Sequence, residues 1–252
     1  MMLDQFKLFD AHLHIIDERF PLFPNQGYLP ENFTCDDYLQ RLAAYDLAGG
    51  AVVSGSFQQF DTSYLIDALE KLGENFVGVI NAPATISDNE LIALHQAGVR
   101  ALRFNLKRGG SEECQHLESM AKRVHELAAW HVEMYVDVAN LDDLYHTILR
   151  LPAVSIDHLG LSKAGLPTLL KLIEKDIKVK ATGFSRVNFN VATVLRDIYI
   201  ANPSALMFGT DLPSTRAPKP YHDKDFLCVI ESLGDAAANA VFYENARVFY
   251  QK

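Results

Sequence analysis

Phe76-Val77-Gly78-Val79-Ile80-Asn81, Ser87-Asp88-Asn89-Glu90-Leu91-Ile92-Ala93-Leu94-His95-Gln96 and Val99-Arg100-Ala101-Leu102-Arg103-Phe104-Asn105 follow one another closely in the chain. The first and third are short apolar runs of strand type. The middle one has an acidic start and the apolar spacing of a helix face. Only Ala97-Gly98 separates that helix from the following strand. A strand, a helix and a second strand joined so tightly imply a parallel pair with a helical crossover.

Outward from this unit the same alternation recurs. Strands are expected at residues 7–15, 50–56, 76–81, 99–106, 132–138, 154–158, 179–182 and 206–209. Helices are expected at 36–48, 63–72, 88–96, 113–130, 141–149, 166–174 and 191–199, with a terminal pair near 223–233 and 236–250. Repetition without an interior linker predicts closure into one α/β domain over residues 1–252, a (β/α)8 TIM barrel. The chain's 252 residues match the ~250 typical of that fold. Segments entering strands are short, whereas residues 17–34, 107–112, 183–190 and 212–222 form longer connections after strands. In such barrels the loops after the strands carry the chemistry.

A formal net charge of −9 argues against nucleic acid as a partner, since no cationic excess is available to displace phosphate counterions. It leaves room for a small anion, because a few arginines dominate the field inside a cleft. Cys35, Cys114 and Cys228 are widely separated and read as reduced thiols. With no visible secretory signal and no long apolar run, the expected location is the cytoplasm, without membrane contact. The oligomeric state is left open.

The first strand carries Asp10-Ala11-His12-Leu13-His14. Strict alternation puts Asp10, His12 and His14 on one face, and Phe9, Ala11 and Leu13 on the other, against the helices. Two imidazoles at i and i+2 inside a narrow barrel suit a divalent metal or a polarised carbonyl oxygen. The sixth strand ends in Asp157-His158, and the eighth runs into Gly209-Thr210-Asp211. An inward Asp211 beside imidazoles suits a general base for water. Asp10, Glu133 and Lys180, on odd-numbered strands, are expected inside the barrel, with Lys180 paired to Asp10 or Glu133 because buried charges need partners.

Asp-x-His-x-His, Asp-His-x-Gly from Asp157 to Gly160, Gly-Thr-Asp-x-Pro from Gly209 to Pro213, and Glu244-Asn245-Ala246-Arg247 together resemble the amidohydrolase superfamily. Ile80-Asn81-Ala82-Pro83 through Arg103-Phe104-Asn105 is similar to its lactonase branch, typified by 2-pyrone-4,6-dicarboxylate and sugar-acid lactonases. The resemblance implies His12, His14, His158 and Asp211 as the catalytic centre. It implies substrate contacts at Tyr28, Ser54 or Ser56, Arg103, Tyr135 and Arg186, with Lys107 or Arg108 as a second basic group. Leu161 stands where the pyrone-dicarboxylate enzyme has an arginine, so one carboxylate anchor of that enzyme lacks a counterpart.

Arg103 and Asn105 on the fourth strand, and Tyr135 and Asp137 on the fifth, do not supply the ligands of a two-metal centre. The cofactor expectation is either none, as the resemblance implies for this branch, or one weakly bound zinc on His12, His14 and Asp211. The expected activity is hydrolysis of a small anionic lactone by water activated at Asp211. The alternatives are metal-dependent decarboxylation of an unsaturated carboxylic acid and a non-catalytic sugar-acid-binding barrel.

Overall fold

Helix starts are written into local sequence. Thr34 caps α1 (Cys35–Arg41) and Ser87 caps α3 (Asp88–Gln96), each in a reciprocal box with the acid three residues on, Asp37 and Glu90. Such caps satisfy amide hydrogens that a helix cannot pair internally. The other helices are α2 (Ser63–Leu72), α4 (Leu117–Ala128), α5 (Leu144–Ile148), α6 (Leu166–Ile173), α7 (Val191–Ala201), α8 (Asp223–Leu233), α9 (Asp235–Asn239) and α10 (Asn245–Phe249). The computed structural model describes residues 3–142 and 144–250.

Between them run β1 (Lys7–Leu13), β2 (Asp46–Val53), β3 (Phe76–Ile80), β4 (Val99–Asn105), β5 (His131–Tyr135), β6 (Val154–Ile156), β7 (Lys178–Ala181) and β8 (Leu206–Phe208). Their order in the sheet is their order in the chain, and each neighbouring pair is parallel. The ring closes just past β8. Asp211 N donates to His12 O at 2.8 Å, and His14 N donates to Leu212 O at 2.8 Å. The expected (β/α)8 barrel is therefore present. Residues 46–48, expected as the tail of a helix, are instead the start of β2, because Asp46 and Leu47 pair with Lys7 and Leu8.

Two apolar layers result. Leu8, Leu13, Val52, Leu102, Phe104, Val132, Ile156, Val179 and Phe208 face the helices, whereas Phe9, Ala11, Ala51, Val53, Val77, Val79, Ala101 and Met207 fill the barrel around Tyr250. Tyr250 stacks on Phe9 with ring centroids 5.3 Å apart, bringing the end of the described chain under the barrel floor.

This division corrects the reading of β1. Phe9 and Ala11 point inward, and Asp10 points outward to the Tyr38 hydroxyl of α1 at 3.1 Å and to Thr210 N at 2.8 Å. The pairing register with β2 slips between Asp10 and Leu13. A bulge of this kind inserts one residue and reverses the alternation beyond it. His12 and His14 thus face inward, and Asp10 does not share their side. Of the two partners expected for Lys180, Glu133 is the one it meets, and both side chains are fully buried.

Candidate active site

Each strand delivers its side chain to the same mouth. Asp211 sits at φ +60° and His158 at φ +52°, backbone conformations that non-glycine residues rarely adopt. Such positions cost of order 1–3 kcal/mol each and persist where surrounding bonds over-determine them. At Asp211 those bonds are the closure contact to His12 O and the donation of Ser214 N to Asp211 O at 2.5 Å.

Asp211 is buried, and its two oxygens have different surroundings. Oδ2 accepts from Arg186 Nε at 2.8 Å and Nη2 at 2.7 Å. Among the described residues Oδ1 has no hydrogen-bond partner, and it faces His14 Nε2 at 3.7 Å and His12 Nε2 at 3.8 Å. Burial pushes the carboxyl up, but Arg186, His158, His14 and His12 outweigh it and hold Asp211 well below the usual carboxylate range. It is therefore an anion with one free oxygen.

The imidazoles are oriented from behind. His14 Nδ1 lies 2.6 Å from the carbonyl of Val53, which only accepts, so Nδ1 carries the hydrogen and Nε2 points toward Asp211. His12 Nδ1 lies 3.5 Å from Asp157 Oδ1. Burial lowers His12 to about 4, against the pull of Asp157, so the ring is neutral near pH 7. His158 is likewise held well below its ordinary value by burial, and its ring packs 5.0 Å from that of His12 and 4.7 Å from that of Tyr135.

A cleft of about 360 Å³, measured out to its open mouth, lies above these groups, and His14, Ser56, Arg103, Asn105, Arg108, Tyr135, His158, Arg186, Asp211 and Arg216 line it. Arg103 donates to Ser54 O at 2.6 Å and to Asp157 Oδ2 at 3.1 Å. Of the paired expectations, Arg108 reaches the cleft and Lys107 is exposed beside it. Ser56 lines the cleft, while the Ser54 hydroxyl turns to Tyr64 at 2.8 Å. Tyr28 is half-buried with the Arg216 guanidinium 4.6 Å above its ring.

Three contributors were not singled out from sequence. Asp157 shares the inward phase of Ser155, opposite Ile156, so alternation along β6 carried the signal. Asn105 lies on the inner face of β4 without an assigned role. Arg216 sits in the irregular segment after β8, where no periodicity marks direction.

Gly209 explains how close β8 comes to β1. A side chain there would place its Cβ 2.7 Å from His12 N and 2.7 Å from His12 Cβ. Gly209→Ala is expected to cost about 1–3 kcal/mol through overpacking and to lower turnover by displacing His12. A urea melt read beside a rate measurement checks both.

His12, His158 and Asp211 offer ligand atoms that all lie within 4.8 Å of one another. Two imidazoles and a carboxylate are zinc-type donors, and among the described residues His12 Nε2 and Asp211 Oδ1 have no hydrogen-bond partner. The residues therefore fit one divalent cation, with His158 rather than His14 completing the tightest grouping. A second grouping, His12, Glu133 and Asp157, lies deeper.

A family profile described as amidohydrolase matches residues 9–252. A 2-pyrone-4,6-dicarboxylate hydrolase of Comamonas testosteroni is 33% identical over 169 residues, 62% of this chain and 54% of that protein. The matched region thus spans little more than half of that relative's length. A 4-sulfomuconolactone hydrolase of Rhizobium radiobacter is 27% identical over 224 residues, covering 81% of this chain and 75% of the relative. Among solved structures, a probable 2-pyrone-4,6-dicarboxylic acid hydrolase from Acinetobacter baumannii, with citric acid bound, superposes with a TM-score of 0.84 at 19% identity. That superposition covers 97% of this chain and 99% of the other.

Proposed function

The chain belongs to the amidohydrolase family, and from that premise we propose that it is a lactonase that opens a small carboxylated lactone with water activated at Asp211. The observation that carries this reading is the buried Asp211 Oδ1, which lacks a hydrogen-bond partner among the described residues and faces two imidazole nitrogens in an arginine-lined cleft. The relatives named for lactone hydrolysis support it.

Water held at Oδ1 passes a proton to Asp211 as its oxygen bonds to the ring carbonyl carbon. His158, on the cleft wall, hydrogen-bonds the developing oxyanion; a donor of this kind is worth roughly 10²–10³ in rate. Collapse breaks the ring carbon–oxygen bond, and the proton returns from Asp211 to the leaving oxygen. The product is a ring-opened hydroxy acid, which releases one proton at neutral pH.

Arg108 and Arg216 have no acidic partner among the described residues, whereas Arg103 and Arg186 are paired to Asp157 and Asp211. The first two are thus free to take a substrate carboxylate at the mouth, with Tyr28 as the platform for Arg216 and Tyr135 and Ser56 shaping the walls. A carboxylate reaching Arg186 competes with Asp211 for it, which raises the basicity of Asp211 when substrate is present.

A divalent cation on His12, His158 and Asp211 would supply Lewis-acid polarisation and a more acidic water. The donor set also supports a second reading, decarboxylation that depends on a metal.

The test is a panel of pyrone-carboxylate and sugar-acid lactones, followed as acid release with and without a chelator. Acid release from a carboxylated member is expected. Carbon dioxide release that ends on chelation favours the second reading, and no turnover of any member overturns the lactonase. Arg108→Ala is expected to raise KM about tenfold or more while kcat changes little, as loss of uniform substrate binding does.

A further inference from the structure

The long connection after β1 returns on itself. Ile16 and Phe33 pair at its base through reciprocal bonds of 2.8 and 2.7 Å. At its tip Asn25 and Tyr28 pair in the same way around Gln26 and Gly27, both at positive φ. A tight two-residue turn of this kind holds its own shape.

The tip is bonded to two other loops. Asn25 Nδ2 and Gln26 Nε2 each donate to Arg108 O at 3.3 Å. The Arg216 guanidinium donates to Asn25 O and, at 3.4 Å, to Gln26 Oε1, while its face lies over the Tyr28 ring. Arg108 follows β4 and Arg216 follows β8, which stand opposite each other in the ring of strands. A segment tied to both crosses the mouth. Beneath it, about 30 Å³ of the cleft has room for water. That is roughly one or two molecules, and a lactone ring with its carboxylate does not fit.

We propose that residues 25–28 form a strap that shuts the ligand-free cleft, and that a carboxylate releases it by taking the Arg216 donors from Asn25 and Gln26.

The closed arrangement is poised for this exchange. Arg216 directs its charge at two neutral oxygens, whereas a carboxylate offers a charged acceptor that both edge nitrogens can grip. Burial and the neighbouring Arg108 act against the Arg216 cation, and an anion between the two relieves that repulsion. Asn25 Oδ1 is buried without a hydrogen-bond partner among the described residues, and opening gives it water. The face of Arg216 stays on Tyr28 as its edge turns toward the cleft, so Tyr28 serves as the pivot. With the latch undone, the tip keeps only its two long bonds to Arg108 O. An uncharged lactone has no charge with which to drive the exchange, since a ligand shifts such an equilibrium only by binding one state better. The strap thus selects for anions before the chemistry begins.

The catalytic use of the strap rests on the lactonase reading, but the exchange is measurable without turnover. Citrate is the probe, titrated by calorimetry into the wild-type chain and into Gln26→Gly. This substitution removes one bond to each arginine and leaves a Gly-Gly pair, which such turns accept. Because the closed strap competes with the anion, weakening it should tighten citrate binding about three- to tenfold, the worth of one or two hydrogen bonds. Equal or weaker binding by Gln26→Gly overturns the proposal, as does a lack of citrate binding by both proteins. Tighter binding in a protein that opens no lactone leaves the strap standing and removes the function.

Turnover gives a second readout. Arg216→Ala should lower kcat/KM for a carboxylated lactone about tenfold or more, the usual loss for a charged hydrogen bond. The same change should raise kcat/KM severalfold for an uncharged one such as δ-valerolactone, because the latch is gone. A rate on the uncharged lactone no higher than wild type would mean that Arg216 only holds the anion, and it overturns the latch.

Discussion

Asp211→Asn is expected to lower kcat by roughly 10³–10⁴, at the upper end of what a general base contributes, while a carboxylated lactone still binds. The amide is nearly isosteric with the carboxylate, so the closure bond from residue 211 N to His12 O and the contact with Thr215 O made by Arg186 remain available. What disappears is the anionic oxygen that faces His12 and His14. Arg186 loses its charged partner and becomes free to hold a substrate carboxylate. Binding measured by calorimetry should therefore stay level or tighten as turnover collapses. Equal loss of binding and turnover would assign Asp211 to structure rather than to chemistry.

The largest expected effect on stability lies at Glu133. This side chain accepts from Lys180 and from the Tyr250 hydroxyl and lies 3.2 Å from His131 Nε2, with no exposure to solvent. Burial raises its carboxyl, but Lys180 and His131 outweigh that and hold it below its ordinary value. Glu133→Ala strands the Lys180 ammonium inside the barrel and opens a cavity under the catalytic histidines. Removing one member of a buried pair costs about 3–5 kcal/mol, because the remaining charge keeps its desolvation penalty and loses its partner. Urea unfolding should show this as a lower midpoint at an unchanged slope. A midpoint equal to wild type would mean that water reaches Lys180, against the sealed floor formed by Phe9 and Tyr250.

The barrel was legible because a parallel strand buried on both faces still alternates. On β4, Ala101, Arg103 and Asn105 fall inside while Leu102 and Phe104 meet the helices, as period two requires. On β1 the same rule misplaced Asp10, Phe9 and Ala11, since the slip against β2 depends on pairing between strands that local sequence does not encode. His12 and His14 were correctly read as inward because both follow the slip. Residues 46–48 were misread for a related reason: Ala48, followed by Gly49, has little strand preference of its own, and contact with β1 decides the conformation of this stretch.

Loop contributors were harder to read than strand contributors. Ser54 and Ser56 lie two apart, yet β2 ends at Val53, so alternation no longer governs them. Neighbouring Lys107 and Arg108 differ in exposure because the turn bonds Arg108 N to Asn105 Oδ1 at 3.0 Å. Arg216 owes its place to the stack on Tyr28, a contact between two irregular segments.

A crystal structure of the Asp211→Asn protein with an intact carboxylated lactone probes the centre of this account most directly. The ring carbonyl carbon should lie within one water molecule of position 211 and of His12, with the carboxylate on Arg108 and Arg216. A lactone seated with its carbonyl turned away from position 211, or held only outside the cleft, would contradict it.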